Sequence, residues 1–221
     1  MTVLDRLPFN FDRADFNRRI RFDSDSGLAD ELEDLLSRLL PVIRPKAVYT
    51  PVTIDRIDGD QVYIGPSRFR SSMLAQNLAR SRNLFAYIAT CGTEADAAFP
   101  AGDDPLVEFW VDTVKEMAVY SASASLIKEV ASGLGDDRDQ LASMNPGSGN
   151  ADLWPLGDQK ELFKLVGDVE AAIGVTLSPS CLMSPNKSIS GFLFQTEEGW
   201  VSCRFCSRTD CPNRQEPSLA H

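Results

Sequence analysis

Histidine is almost missing from this chain: the only one, His221, is the last of 221 residues. That nearly excludes imidazole catalysis and histidine-rich metal sites. The chemistry must draw on thiols, carboxylates, hydroxyls, backbone groups or a borrowed cofactor. Basic charge is also short. Lysine and arginine number 22 against 32 acidic residues, a formal net charge of −10. This excess speaks against nucleic acid, whose phosphates ask for a basic face. No stretch of about eighteen or more apolar residues occurs, so no membrane-spanning helix is predicted. The opening segment, MTVLDRLPFNFDRADFNRRI, is charged throughout and lacks the apolar centre of a signal peptide, which predicts a cytoplasmic protein. There is no G-x-G-x-x-G fingerprint and no phosphate-binding P-loop. No nucleophile–base pair of a self-contained hydrolase can be assembled either.

Apolar residues make up 43% of the chain, enough for a sizeable core. Three segments are predicted: a polar N-terminal surface segment over 1–25, a folded domain over 26–202, and a cysteine-containing tail over 203–221. Leu28, Leu32, Leu35, Leu36 and Leu39 recur at helical spacing before Pro41. Strands are predicted over 47–54 and 61–64, joined by a turn at Asp58-Gly59-Asp60, and a helix over 72–79. The apolar run 84–90 reads as a buried strand ending in a tight turn at Gly92. Residues 106–130 give the strongest helix signal, with Leu106, Trp110, Val114, Met117, Ala124 and Ile127 as its buried stripe and Gly133 and Gly135 at its end. A short strand over 141–144, a helix over 158–172 and strands over 175–182 and 188–196 follow, with 200–202 extending the sheet. Strands and helices mix without regular βαβ alternation. This predicts an α+β fold around a mostly antiparallel sheet with flanking helices.

Four features carry chemistry. The first is the tail Cys203-Arg-Phe-Cys206-Ser-Arg-Thr-Asp-Cys211, a C-x2-C-x4-C spacing. Thiolates this close in sequence reach one centre without long-loop closure, and in a reducing compartment they predict zinc or an iron–sulfur cluster rather than disulfides. Three thiolates leave one position open, for Cys91, Cys181, a partner protein or an exogenous molecule. Arg204, Arg208 and Arg214 offset thiolate charge. The second is the loop Asn145-Pro146-Gly147-Ser148-Gly149, whose glycines let backbone approach a ligand. The third is Lys187-Ser188-Ile189-Ser190-Gly191, where strand alternation puts both serine hydroxyls on one face. The fourth is Cys91, a thiol at a strand end.

These pieces, in this order, resemble the activation (reactivation) domain of cobalamin-dependent methionine synthase, and more closely its free-standing bacterial counterparts. The resemblance rests on 145–149, on Trp154-Pro155-Leu156-Gly157-Asp158-Gln159, on Ile173-Gly174-Val175-Thr176-Leu177 and on 183–191; Thr90-Cys91-Gly92 and the cysteine tail match the free-standing proteins. It is specific over 145–214 and collinear from 28 onward. It implies a domain that caps a corrinoid protein and binds S-adenosylmethionine. One electron from flavodoxin or ferredoxin, plus a methyl group, then restores oxidised cobalamin held by the partner. That partner would be a methionine synthase lacking its own activation domain or another corrinoid methyltransferase, with this chain as an accessory component. Residues 145–149 would form the S-adenosylmethionine loop, and Lys187, Ser188, Ser190 and Gly191 the strand facing ligand or corrin. The chain departs from the family pattern at two places. No arginine stands in 143–145, and Ser148 replaces a tyrosine, removing a guanidinium and an aromatic face. Two other readings of the cysteine tail are an iron–sulfur electron-transfer protein and a zinc-stabilised scaffold in a corrinoid methyltransferase complex.

Overall fold

The computed structural model describes residues 1–221 except 24, 26, 101, 135–140, 149–152, 197–200, 207, 209, 212, 213, 215 and 218–221. In chain order the elements are β1 (Thr2–Leu4), α1 (Arg13–Ile20), α2 (Ala29–Leu39), β2 (Lys46–Val52), β3 (Arg56–Asp58), β4 (Gln61–Ile64), β5 (Ser67–Arg70), α3 (Ser72–Leu78), β6 (Leu84–Thr90), α4 (Glu94–Ala98) and α5 (Pro105–Gly133). There follow β7 (Leu141–Met144), α6 (Gln159–Val166), α7 (Val169–Ile173), β8 (Thr176–Leu177), β9 (Met183–Ser184) and β10 (Ser188–Gln195).

The central sheet has the order β1-β2-β6-β10-β7, with every neighbouring pair antiparallel. Its two faces follow the period of two that strands impose. Val48, Ala86, Ile88, Phe192 and Phe194 point into one apolar cluster with α3, α6, α7 and the small β3-β4-β5 sheet. Ala47, Tyr87, Ala89 and Leu193 point the other way, onto Ala122, Leu126 and Val130 of α5. A further cluster joins α1, α2 and the first half of α5 around Phe16, Leu32, Leu36 and Trp110. The α+β architecture with a mostly antiparallel sheet and flanking helices is thus the one the sequence predicts.

Several elements differ from their sequence-based expectation. Residues 1–25 do more than wrap the surface: Thr2–Leu4 pairs with β2, and α1 buries Phe16. The turn at Gly59 joins β3, not β2, to β4, because β2 runs into the central sheet while β3 belongs to the small one. The buried face of α5 is wider than one stripe. Leu106 and Ala124 are exposed while Val111, Ala118, Ala122, Leu126 and Val130 are buried, since the helix covers one cluster with its first half and another with its second. The helix over 158–172 is broken into two. Gly167 (φ +111°) ends α6, and the Asp168 side chain accepts from Ala171 N to start α7. The run 175–182 is not one strand. Ser178 N donates to Leu182 O and Cys181 N to Ser178 O, folding it back so that only Thr176–Leu177 pairs, with β9. Of 200–202, Trp200 lies outside the described residues, and Ser202 begins the 3₁₀ turn Ser202–Phe205.

Candidate functional site

The central sheet opens at one edge. β7 pairs with only Phe192–Gln195 of β10. The chain then turns away at Asn145, so the β10 edge at Ser188–Ser190 has no strand beside it among the described residues. Backbone groups on such an edge need a partner. The Asn145 side chain takes part of that role, donating from Nδ2 to Ser190 O (2.8 Å) and to the Tyr87 hydroxyl (2.7 Å). Gly191 is required for this approach. A Cβ there would lie 2.4 Å from Met144 O and 2.6 Å from Asn145 Nδ2. Burial pushes the Tyr87 hydroxyl above its ordinary pKa, so it stays protonated as part of this hinge.

The loop after Asn145 is held from behind. Gly147, at φ +72°, donates its N–H to Trp154 O (2.8 Å). The Trp154 ring stacks on Phe192 (centroids 5.5 Å apart, 5° between planes), and Phe69 meets both rings edge-on. The indole Nε1 donates to Asp158 Oδ2 at 3.0 Å, which also accepts from Arg70 N at 3.1 Å. Burial raises the Asp158 carboxyl and these two donors oppose the shift. A Trp at 154 therefore fixes the loop backbone, the sheet face and the start of α6 together.

In the opening lies a cavity of about 570 Å³. Ser143, Asn145, Pro146, Gly147 and Ser148 form one side, Ser188, Ile189 and Ser190 another, and Tyr120 and Ile127 of α5 a third. Cys203, Cys206 and Cys211 also line it. The loop, the serine strand and the cysteine tail, separate in sequence, thus line one space. Gly149 lies outside the described residues.

Not every predicted residue is there. Lys187 leaves the cavity to pair with Asp112 at 2.7 Å. The Ser188 hydroxyl is engaged locally, with Thr90 Oγ1 at 3.0 Å and Pro185 O at 2.8 Å. Gly191 acts by yielding space to the loop rather than by lining the cavity. Cys91 sits in the α1–α2–α5 cluster, fully buried, and burial pushes its thiol up to about 12. Cys181, also buried, points its Sγ at Gly157 O (3.9 Å). Neither lines the cavity with the tail thiols. Among the described residues, no three Cys, His, Asp or Glu side chains are gathered about one point for a metal ion.

Two cavity residues escape the sequence reading. Gln159, 4% exposed, lines the cavity and donates from Nε2 to Ser190 Oγ (3.0 Å). Its Oε1 is buried without a hydrogen-bond partner among the described residues. A buried acceptor left unpaired costs about 1–3 kcal/mol, which a ligand N–H would recover. A polar residue in the first turn of an amphipathic helix was the available signal. Tyr120, from α5, adds an aromatic ring to the lining; α5 is too distant in sequence for spacing to reveal it.

No protein-family model and no curated protein matches the chain. Among solved structures, the crystal structure of the MetH reactivation domain bound to AdoHcy superposes with a TM-score of 0.59 at 18% identity, covering 83% of this chain and 70% of that one. The chain therefore has the fold of that reactivation domain, as the sequence resemblance implies.

Proposed function

We propose that this protein is a reactivation module for a corrinoid-dependent methyltransferase, and that the cavity at the open edge of β10 binds S-adenosylmethionine and its product S-adenosylhomocysteine. The observation that carries this reading is the convergence of 143–148 and 188–190 on one cavity, in a fold shared with a domain crystallised with AdoHcy. Asn145, Pro146 and Gly147 present backbone to the ligand, Gln159 Oε1 accepts one of its N–H groups, and Tyr120 covers an apolar part. The donor carries a sulfonium methyl. Together with a one-electron reductant, that methyl group would supply the chemistry that returns a partner's oxidised corrinoid to its methylated form, with S-adenosylhomocysteine as the product released from this chain's cavity. This chain's residues bind and orient; the cofactors carry the bond changes.

Calorimetric titration of the full chain, without metal, with S-adenosylhomocysteine tests the reading. Saturable one-site binding is expected, weakened about tenfold in Gln159→Ala, the equivalent of about 1.4 kcal/mol. A corrinoid methyltransferase with cob(II)alamin, a one-electron reductant and S-adenosylmethionine should then yield methylcobalamin only with this protein present. Absence of binding, or equal methylcobalamin yield without the protein, would overturn it.

A further inference from the structure

We infer that Cys203, Cys206 and Cys211 hold a four-iron–four-sulfur cluster whose fourth iron, lacking a protein thiolate, faces the ligand cavity. The cluster depends on the tail alone, and the role of its open iron rests on the proposed S-adenosylmethionine site. Three observations carry it.

The three thiols fall within a nine-residue span and line the same cavity as the 145–148 loop and the β10 edge. They are half-exposed to it, unlike Cys91 and Cys181.

Among the described tail residues, one guanidinium gathers several backbone carbonyls. Arg214 donates from Nη1 to Cys203 O and Glu216 O, both at 3.0 Å, and from Nη2 to Cys206 O at 3.2 Å and to Arg208 O. Arg204 pairs with Glu216 across the same turn, Nε to Oε2 at 2.5 Å. The Nε–H of Arg214 is buried with no hydrogen-bond partner in the described residues. These bonds place the guanidinium charge against the backbone of Cys203 and Cys206. An anionic sulfur cluster also offers that N–H an acceptor, and hydrogen bonds to sulfur are one way a protein tunes such clusters.

The arrangement suits a cluster better than a single ion. A zinc ion asks its ligands to converge on one point at ~2.3 Å, with four-coordinate closure. Here three thiols line one space, yet among the described residues they are not gathered about one point and no fourth thiol lines it. In a cubane each thiolate meets a different iron, so the sulfurs stand farther apart, and three thiolates leave one iron open. That iron borders the space lined by Gln159, Ser190 and Asn145. A ligand with amine, carboxylate or thioether groups would complete its coordination. Loading draws the tail inward, since metal binding couples to local folding.

Anaerobic reconstitution of the full chain with ferrous iron and sulfide, followed by iron and sulfide analysis, optical absorption and electron paramagnetic resonance, tests this. About four irons and four sulfides per chain are expected, with a visible absorption that dithionite bleaches. Cys203→Ala, Cys206→Ala and Cys211→Ala should each lose most of the iron while keeping the far-ultraviolet circular dichroism of the parent. Cys91→Ala and Cys181→Ala should keep it. Adding S-adenosylhomocysteine or S-adenosylmethionine to the reduced, loaded protein should shift its resonance spectrum. Uptake of one zinc per chain with no cluster, or full iron content in the tail variants, overturns the cluster. A cluster whose spectrum ignores both nucleosides overturns the open iron at the cavity. Failure of ligand binding itself is read separately, in the metal-free calorimetry, so the two proposals fail independently.

Discussion

The cavity has two walls of different construction. Behind the 145–148 loop, Trp154, Phe69 and Phe192 are fully buried and ring-stacked, tied to the sheet and to α6. Across from it, the tail is held mainly by hydrogen bonds and one ion pair gathered on Arg214 and Arg204. The first wall belongs to the apolar core and shares its free energy. The second is polar, local and adjustable. In the proposed site, the first wall would set the geometry of the ligand and the second would hold the cluster.

The largest test of this contrast is Trp154→Ala. It empties a ring-lined core position and frees the Gly147 and Asp158 contacts, so a loss of ~3–5 kcal/mol is expected in denaturant unfolding. A loss below ~1 kcal/mol would mean that the wall is not part of the core. The buried side can also be probed by pH. The Cys91 thiol rises from an ordinary 9.0 to about 12 because burial disfavours its thiolate. Between those values the unfolded chain has released the proton and the folded chain retains it, so stability is intact below pH 9 and falls as pH rises toward 12. The slope approaches about 1.4 kcal/mol per pH unit. Chemical unfolding across that range should show a shallower decline in Cys91→Ala; an unchanged slope would place the alkaline sensitivity elsewhere.

Gly191→Ala tests how the first wall meets the sheet. The added methyl meets Met144 O and Asn145 Nδ2. A loss of ~1–3 kcal/mol is expected, with weaker S-adenosylhomocysteine binding as the loop shifts; wild-type affinity at reduced stability would separate the loop's position from ligand binding. The smallest stability effect belongs to Arg214→Ala. Global unfolding should change by less than ~1 kcal/mol, while limited proteolysis between 203 and 216 accelerates several-fold. Equal proteolysis rates would show that the guanidinium does not organise the tail.

Much of the fold was legible because its signals are local. A continuous apolar run marked β6, serine–isoleucine alternation marked the start of β10, and period-3.6 spacing marked α2 and α6. The errors arose where tertiary context overrode a run of residues. Gly167 with Asp168 split a helix that its apolar pattern continued through, and Pro179 lies in a turn that folded an apparent strand back on itself. At the site, the loop, the serine strand and the tail were each visible as unusual combinations of glycine, serine and cysteine. Gln159 and Tyr120 were not, because a single polar residue on a helix carries no sign of what it faces.

By itself the sequence determined the residue kinds available to chemistry, with histidine nearly excluded and thiols clustered at one end. It also determined the local elements, which depend on contacts a few residues apart. Only the tertiary structure decided that 143–148, 188–190 and 203–211 border one cavity while Cys91 and Lys187 stand outside it. The physical reason is that β7 stops short along β10. Where a strand ends is set by long-range pairing and by the room Gly191 leaves for Asn145, and neither is encoded in any short stretch of chain.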